Sequence, residues 1–310
     1  MTAPLRVGVI GVGYLGAFHA EKYASMRDVA LVAVVDVDAD RAGAVATRCG
    51  TTAVSDYRAL FGRVDGVSLA VPSPLHFPLA QDCLEHGIDV LVEKPLSTSV
   101  AEGRALVATA ERSGRILQVG HLERFNPAIR ALAGTITQPR FIECHRLAPF
   151  VERGTDVDVI LDLMIHDLDI ILSLVNAEVE AVEAVGVPVL SETADIANAR
   201  LRFRNGCIAN ITASRVALKR ERKIRLFQAD TYVSVDYGEK RVRVCRRLMA
   251  DGHPTITVDE QALGEGDALF DEIEHFVQAV RTRQRPLVDG RTALRALEVA
   301  ELIRSRMETA

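Results

Sequence analysis

A histidine and an aspartate stand four residues apart in an apolar stretch of the chain. Asp162 and His166 would share one face of a helix, because residues four apart lie one above the other. The residues around them are mostly aliphatic. An imidazole with a carboxylate one turn away in such surroundings suits a base that works near neutral pH, with Asp162 orienting the ring.

Three other interpretations of this stretch stay open. His166 could be a hydrogen-bonded residue of the core. A metal site could use His166 with Asp162, Asp167 or Asp169, although neither an H-x-x-x-H motif nor a remote Cys/His pair accompanies them. The acidic residues could also form a solvated face, and we expect this of Asp167.

Near the N-terminus, a G-x-G-x-x-G motif lies between an apolar run and a helical pattern. It reads Gly11-Val12-Gly13-Tyr14-Leu15-Gly16. The first glycine permits a tight turn, the second lets the backbone approach a pyrophosphate, and the third allows the helix to pack closely on the strand. The helix N-terminus offers N–H groups and a positive dipole end to phosphates.

Asp36 ends the next apolar run, twenty residues after the last glycine. There its carboxylate can accept hydrogen bonds from both adenosine ribose hydroxyls and would repel a 2′-phosphate. Arg41 is the nearest arginine that follows it. The stretch therefore predicts a dinucleotide site that favours NAD over NADP. The alternative, that the glycines serve packing alone, is disfavoured by the strand, helix and acid around them.

Two loops follow later apolar runs. One is Glu93-Lys94-Pro95, in which the proline restricts Lys94 to extended backbone, so that its side chain projects at the strand end. Most lysines are solvated surface residues, but this strand edge should face the nicotinamide. The other loop is Val71-Pro72-Ser73-Pro74-Leu75-His76, at the same edge of the sheet. For His76 a structural role is at least as well supported as contact with a cofactor.

The composition is that of an ordinary globular protein. Its 310 residues suggest about two domains, with 48% apolar and 25% charged residues. A net charge of −5 argues against a nucleic-acid partner. With no signal-peptide pattern and no apolar run of membrane-helix length, we expect no membrane partner. Five dispersed cysteines without C-x-x-C indicate reduced, mostly buried thiols and a cytoplasmic protein.

The elements that must position these residues alternate between strand and helix up to about residue 122. The apolar runs are Val7–Ile10, Leu31–Val35, Gly66–Val71, Val90–Val92 and Ile116–Val119, and the helical patterns are Gly16–Met26, Ala39–Cys49, Pro78–His86 and Val100–Ser113. Short buried runs separated by helices predict a parallel, doubly wound sheet. Residues 1–122 should therefore form an α/β Rossmann domain.

Beyond residue 122 the pattern changes to longer segments in which apolar and polar residues alternate. The predicted strands are Arg140–Leu147, Val179–Pro188, Asp195–Arg204, Cys207–Val216, Arg222–Ala229, Tyr232–Asp236 and Arg241–Arg246, and the predicted helices are Pro127–Ala133, Val157–Val175, Asp267–Arg283 and Arg291–Met307. Alternation with period two indicates a large, open, mostly antiparallel sheet, and Asn205-Gly206 is typical of a hairpin turn.

Residues 123–310 should thus form an α+β domain that binds substrate and mediates oligomerisation. We expect the helix of residues 291–307 to pack back on the first domain. A broad exposed sheet face usually finds a partner, so a homodimer or homotetramer formed through this sheet is expected.

Taken together, these motifs resemble the family of glucose-fructose oxidoreductase, inositol dehydrogenase and MocA-type dehydrogenases over nearly the full length of the chain. The resemblance rests on the glycine motif with His19, on Glu93-Lys94-Pro95 and on Asp162-x-x-x-His166. His121-x-Glu123-Arg124-Phe125-Asn126-Pro127 and Arg153-x-x-Asp156-Val157 are most similar to the branch that acts on nucleotide sugars such as UDP-N-acetylglucosamine. Many members carry Gly-Gly ahead of that Asp156 and Asn in place of Ser73; these departures concern the substrate more than the reaction.

The resemblance implies an NAD-dependent oxidoreductase that oxidises a secondary hydroxyl of a sugar, with a Rossmann domain and an open-faced sheet domain. It implies that Lys94 hydrogen-bonds the reacting oxygen, that His166 accepts the proton, and that Asp162 belongs to the same catalytic group. The expected cofactor-binding residues are Gly11, Gly13, Tyr14, Leu15, Gly16, Asp36, Val71, Ser73, His76, Glu93 and Lys94. The expected substrate-binding residues are His121, Arg124, Asn126, Arg153 and His166, with Arg215 as a further candidate for an anionic group.

Two alternatives remain for the function. One is a dehydrogenase of a free polyol such as inositol, and the other is a non-catalytic NAD-binding regulatory protein, since fold does not fix function. The presence of Lys94, Asp162 and His166 speaks against the second.

Overall fold

The computed structural model describes residues 3–132, 134–151, 157–250, 253–262, 264 and 266–307. The chain divides into two compact units. The first unit is Met1–Leu122 together with Asp267–Leu294, and the second unit is Glu123–Gly266 together with Arg295–Ala310. Within the described ranges, no helix is both long and apolar enough to cross a membrane.

The strands and helices follow the predicted alternation closely. The strands are β1 (Leu5–Ile10), β2 (Val29–Val35), β3 (Thr52–Val54), β4 (Gly66–Leu69), β5 (Asp89–Glu93), β6 (Leu117–Gly120), β7 (Phe141–Leu147), β8 (Val179–Val187), β9 (Ile196–Phe203), β10 (Ile208–Ser214), β11 (Glu221–Gln228), β12 (Thr231–Asp236), β13 (Arg241–Ala250) and β14 (His253–Ala262). The α-helices are α1 (Tyr14–Ser25), α2 (Ala39–Cys49), α3 (His76–Glu85), α4 (Val100–Ser113), α5 (Pro127–Arg130), α6 (Ile165–Leu174), α7 (Ala268–Thr282) and α8 (Gly290–Met307).

In the part of the chain that the structure describes, the first unit holds a parallel sheet of six strands in the order β3-β2-β1-β4-β5-β6. This is the predicted doubly wound sheet, and its strand order reverses between β1 and β4. Ligands of such sheets bind in the crevice at the carboxyl ends of the strands at that point. The three-residue strand β3 was not predicted, because so short a segment shows no pattern of its own.

The core of the first unit is closed by a helix from the far end of the sequence. Helix α7 buries Ile273, Phe276 and Val277 in the same apolar cluster as Val7 on β1 and Leu91 on β5. At the end of the helix, the Arg283 guanidinium donates to both carboxylate oxygens of Asp89, at 2.6 and 3.0 Å. The sheet of the first unit is therefore completed by residues beyond 266.

The second unit, over its described ranges, contains a sheet of eight strands in the order β14-β13-β12-β11-β7-β10-β9-β8. Its pairs are antiparallel except for β10 with β7, which confirms the prediction of a mostly antiparallel sheet. The β9–β10 hairpin lies where Asn-Gly was predicted, but its loop is not the expected two-residue turn: the Gly206 N–H donates to Phe203 O at 2.9 Å around Arg204 and Asn205, and Gly206 follows with a φ of +83°. Strand β14 was not predicted, although Ile256 and Val258 alternate with polar residues in it, and all of its residues are exposed.

The two faces of this sheet differ in what covers them. On one face, β7 and β11 bury Ile142, Cys144, Ile224 and Leu226. On the other face, the half-buried rings of Phe141, Phe227 and Tyr232 form a row across β7, β11 and β12. Neighbouring ring centroids in this row are 5.6 and 4.9 Å apart. We call these three rings the aromatic row.

Candidate active site

The glycine loop joins β1 to α1, and at two of its glycines a larger residue would clash with the neighbouring backbone. Gly11 has a φ of +82°, and a Cβ there would lie 2.6 Å from the Ala70 carbonyl oxygen. A Cβ on Gly16 would lie 1.8 Å from the Gly11 oxygen, so a side chain would separate the helix from the loop. At Gly13, by contrast, a Cβ would meet nothing within 4 Å. The loop thus leaves open space at Gly13, where α1 begins without a side-chain cap on its first N–H groups.

Asp36 follows the last residue of β2 and faces this loop. Its Oδ2 accepts from the Val12 backbone N–H at 2.9 Å, and its Oδ1 accepts from the Asp38 N–H at 3.0 Å. Burial alone would raise the pKa of Asp36, but the hydrogen bonds from Arg41, Asp38 and Val12 outweigh it and lower the pKa. An ionised acceptor beside an open glycine cradle fits the ribose and pyrophosphate of a dinucleotide.

Arg41 also reaches Asp36, which the sequence did not indicate. Asp38 caps α2 by accepting from the Arg41 backbone N–H at 3.0 Å, so that Arg41 lies in the first helical turn. From there its Nη2 donates to Asp36 Oδ1 at 2.8 Å and its Nε donates to Oδ2 at 3.1 Å. The side chain of Arg41 is 45% exposed. The ribose hydroxyls can therefore donate hydrogen bonds to both oxygens of Asp36 only if the guanidinium of Arg41 moves.

The carboxyl end of β5 carries Glu93 and Lys94, both half-buried. Glu93 Oε1 lies 2.9 Å from Nε2 of the fully buried His19 on α1. Burial would raise the pKa of Glu93, but the contact with His19 and the charge of Lys94 lower it. A Cβ on Gly120, at the end of β6, would come within 2.9 Å of the Glu93 carboxylate. The anchoring of Glu93 fixes the strand end from which Lys94 projects, and the Lys94–Pro95 peptide bond is cis.

His76 is buried and binds backbone rather than open space. Its Nδ1 lies 2.7 Å from the Pro95 carbonyl oxygen, and its Nε2 lies 2.9 Å from that of Val71. It therefore ties the loop after β4, which includes the half-buried Ser73, to the loop after β5. Tyr14 and Leu15, at the start of α1, are 66% and 42% exposed. All of these expected cofactor residues belong to the first unit.

Asp162 and His166 lie in the second unit, on the element predicted as one helix over 157–175. The structure divides that element into a π-helical turn, Ile160–Met164, and α6. Asp162 and His166 are half-buried, whereas most of their neighbours are buried. They share the less buried side of the element, as the spacing predicts, and His166 is not enclosed in the core. Single π-helical turns are frequent at functional sites.

The start of this element is fixed by Asp158. Its Oδ1 accepts from the backbone N–H groups of Ile160 and Leu161 at 3.0 and 3.1 Å. Its Oδ2 accepts from Arg304 Nε on α8 at 2.7 Å. The carboxylate thus satisfies two of the N–H groups that a helix start leaves unpaired, and the C-terminal helix holds it there.

Asp167 is not on a solvated face, and that expectation was wrong. It is 1% exposed, and its carboxylate accepts from Nε and Nη2 of the buried Arg146, both at 2.9 Å. Arg146 Nη1 donates to Glu123 Oε1 at 3.1 Å. Burial alone would lower the pKa of Arg146, but these two carboxylates raise it. The sequence held a signal for the burial of Arg146, though not for its partner, since β7 alternates and Arg146 falls at an inward position after Ile142 and Cys144.

The residues expected to bind substrate differ in their side-chain contacts and burial. Arg124 Nη1 lies 3.4 Å from Asp169 Oδ1, and the side chain of Asn126 bonds Glu123 and caps α5. His121 is buried. Arg153 lies outside the described residues.

Arg215 is not available to an anionic ligand, and that expectation was wrong. It is 4% exposed, and its Nε donates to Asp195 Oδ1 at 2.8 Å. Its Nη groups donate to Val157 O, Ser191 Oγ and Thr193 Oγ1. As for a metal, the described residues contain no group of three or more His, Cys, Asp or Glu side chains placed to hold one.

Comparisons with known proteins identify related oxidoreductases for both units. Residues 5–121 match the model of an oxidoreductase family with an NAD-binding Rossmann fold, and residues 128–233 match the GFO/IDH/MocA C-terminal domain. The chain is 40% identical to UDP-N-acetylglucosamine 3-dehydrogenase of Acidithiobacillus ferrooxidans, covering 98% of this chain and 97% of the other. It is 35% identical to inositol 2-dehydrogenase 1 of Saccharopolyspora erythraea, covering 92% and 86%.

The fold is also similar to that of a solved structure. The structure of UDP-N-acetylglucosamine 3-dehydrogenase from Acidithiobacillus ferrooxidans superimposes with a TM-score of 0.93 at 38% identity, covering 99% of both chains.

Proposed function

The chain belongs to the GFO/IDH/MocA family of oxidoreductases, and on that premise we propose that it oxidises a secondary hydroxyl of a nucleotide sugar with NAD. One observation carries the proposal. The chain contains both the lysine and the histidine that the chemistry needs, and it is similar over 98% of its length to a UDP-sugar dehydrogenase. Lys94 extends from the end of β5, and His166 from the less buried side of α6.

In the proposed reaction, the side chains of His166 and Lys94 both act on the same substrate hydroxyl. His166 takes the hydroxyl proton, with Asp162 orienting the imidazole; general-base help of this kind is typically worth about 10²–10⁴ in rate. The ammonium of Lys94 stabilises the negative charge that develops on the oxygen. NAD, when bound, supplies the acceptor for the hydride. The residues that would hold it are those of the glycine loop, Asp36 and the loops after β4 and β5.

The proposal of NAD rather than NADP rests on Asp36. Its ionised carboxylate repels a 2′-phosphate and attracts ribose hydroxyls. Arg41 acts in the opposite sense, because a guanidinium at this place neutralises the carboxylate and could hold a phosphate. We therefore propose a preference for NAD whose size is limited by Arg41.

For the substrate, a nucleotide sugar is favoured by the 40% identity to a UDP-N-acetylglucosamine 3-dehydrogenase. A free polyol such as inositol is the second candidate, because an inositol 2-dehydrogenase is 35% identical over 92% of the chain. We further propose that the chain forms a homodimer or homotetramer through the open face of the second unit's sheet. The aromatic row on that face supports this proposal.

The test is NADH formation at 340 nm with UDP-N-acetylglucosamine, other UDP-sugars and myo-inositol as substrates. We expect turnover with a UDP-sugar and inhibition by free UDP. The Lys94→Ala variant should lose about 10³-fold in kcat while largely retaining NADH binding, because the glycine loop and Asp36 remain to hold the cofactor. His166→Ala should behave likewise. Turnover of myo-inositol alone, without inhibition by UDP, would assign the chain to the polyol dehydrogenases. Unchanged turnover in Lys94→Ala would remove that residue from the mechanism.

A further inference from the structure

Arg222, at the start of β11, stands directly opposite Arg146 in the antiparallel pair of β11 and β7. The two side chains are therefore on the same face of the sheet, the one that buries Ile224 and Leu226. Like charges directly opposite each other on neighbouring strands are destabilising. Burial and the charges of Arg146 and Arg220 lower the pKa of Arg222, and together they outweigh Glu123 and Asp167, which raise it.

The carboxylate between these two arginines is already engaged. Glu123 Oε1 accepts from Arg146 at 3.1 Å, and Oε2 accepts from Asn126 at 3.1 Å. Arg222 Nη1 lies 3.7 Å from Oε1, which is an ion pair without a hydrogen bond. Among the described residues, nothing accepts a hydrogen bond from the guanidinium of Arg222. Its side chain is 42% exposed, so a ligand can reach it.

Arg222 also lies beside the segments on which the proposed function depends. Its neighbour Glu123 is in the turn Leu122–Phe125, which carries Arg124. Arg146, which Arg222 faces, binds Asp167, and Asp167 adjoins His166. The other arginine candidates are less suited to an anion, because Arg215 is consumed by Asp195 and Arg124 is paired with Asp169.

We infer that Arg222 binds phosphate oxygens of a nucleoside-diphosphate sugar in the second unit. The inference rests on the proposed function and names the residue that would recognise the charged part of its substrate. A diphosphate offers pairs of oxygens that match the planar fork of a guanidinium. It would also give the guanidinium of Arg222 hydrogen-bond acceptors, whereas the nearby carboxylate of Glu123 already accepts from Arg146 and Asn126.

The experiment compares UDP with uridine as inhibitors of UDP-N-acetylglucosamine oxidation. Uridine lacks the phosphates, so Arg222→Gln should weaken inhibition by UDP about tenfold or more and leave inhibition by uridine within about twofold. Its KM for the UDP-sugar should rise with kcat little changed, and its KM for NAD should stay as in the wild type. Arg222→Lys keeps the charge without the fork and should fall between the two.

Arg204→Gln is the matched control, because it removes an exposed arginine, paired with Glu178, at the other end of the same sheet. Its inhibition constants should match those of the wild type. If the wild type oxidises the UDP-sugar and Arg222→Gln binds UDP equally well, the inference is wrong and the proposed function stands. If the wild type neither oxidises UDP-sugars nor binds UDP, both fall.

Discussion

At the level of single residues, the contacts of Asp36 matter more than its presence. Each of its oxygens already accepts one backbone N–H, and Arg41 adds a further bond to each. A bound ribose would therefore compete with a guanidinium that is itself half-exposed and able to turn away. We therefore propose that cofactor choice depends on Asp36 together with Arg41 and not on the carboxylate alone.

Removal of Arg41 should sharpen the preference for NAD. In Arg41→Gln, Asp36 is freed to accept both ribose hydroxyls, and a 2′-phosphate loses its nearest cation. We expect the ratio of the NADPH to the NADH dissociation constant, measured by fluorescence titration, to rise about tenfold or more. The control is Arg48→Gln. Arg48 lies at the other end of α2 and pairs with Glu21 of α1, so its removal should leave the ratio unchanged. An unchanged ratio in Arg41→Gln would show that Arg41 has no part in the choice.

The placement of site residues was predictable where it follows from chain position. Asp36 and Lys94 come directly after apolar strands, and the carboxyl ends of parallel strands meet at one edge. The side-chain pairs of Arg41, Arg146 and Arg222 were not predictable in the same way. Each depends on which strand or helix end lies opposite, and register is decided by the folded sheet.

At the level of elements, the helix that carries His166 is fastened to the sheet by a buried charge pair. Arg146 on β7 holds Asp167 of α6 with two hydrogen bonds and Glu123 with a third. The sequence predicted a helix here but not the π-helical turn at Ile160–Met164, because an apolar helical pattern does not distinguish such a rare turn from an α-helix. Because Asp167 is the next residue after His166, this charge pair anchors the turn of α6 that carries His166.

Breaking this pair should be costly. Asp167→Asn leaves Arg146 buried with one ionised partner, and loss of one member of a buried pair typically destabilises by about 3–5 kcal/mol. Because Glu123 remains, we expect about 3 kcal/mol less free energy of unfolding in urea. Asp40→Asn, at an exposed position of α2, is the control and should change stability by less than about 0.5 kcal/mol. A loss that small in Asp167→Asn would mean that the pair contributes nothing to stability.

At the level of the whole molecule, the sheet of the second unit leaves one face and one edge strand open to association with another chain. Its free face bears the aromatic row, and the outer strand β14 is exposed along its length. An unpaired edge and uncovered rings are places where chains associate. The sequence indicated the face through its alternation, but the edge was not predicted, because the short alternation around Ile256 and Val258 in β14 was passed over.

Light scattering after gel filtration should give the mass of a dimer or tetramer for the wild type. Tyr232→Glu places a charge in the aromatic row and should shift the protein toward the monomer, because an uncompensated charge in an interface is unfavourable. Ser55→Glu adds the same charge at an exposed site of the first unit and should leave the mass unchanged. A monomeric wild type would rule out association through this face.

The first unit is assembled from residues 1–122 and 267–294, with the whole of the second sheet encoded between them. Strands β1 and β5 bury Val7 and Leu91 against Phe276, a residue that the ribosome adds only after that sheet has been made. Because domains tend to fold as they emerge, the first unit must wait until the second sheet has been synthesised before its core can close. A gene fragment cut at residue 122 would therefore yield an incomplete protein with an unsealed core.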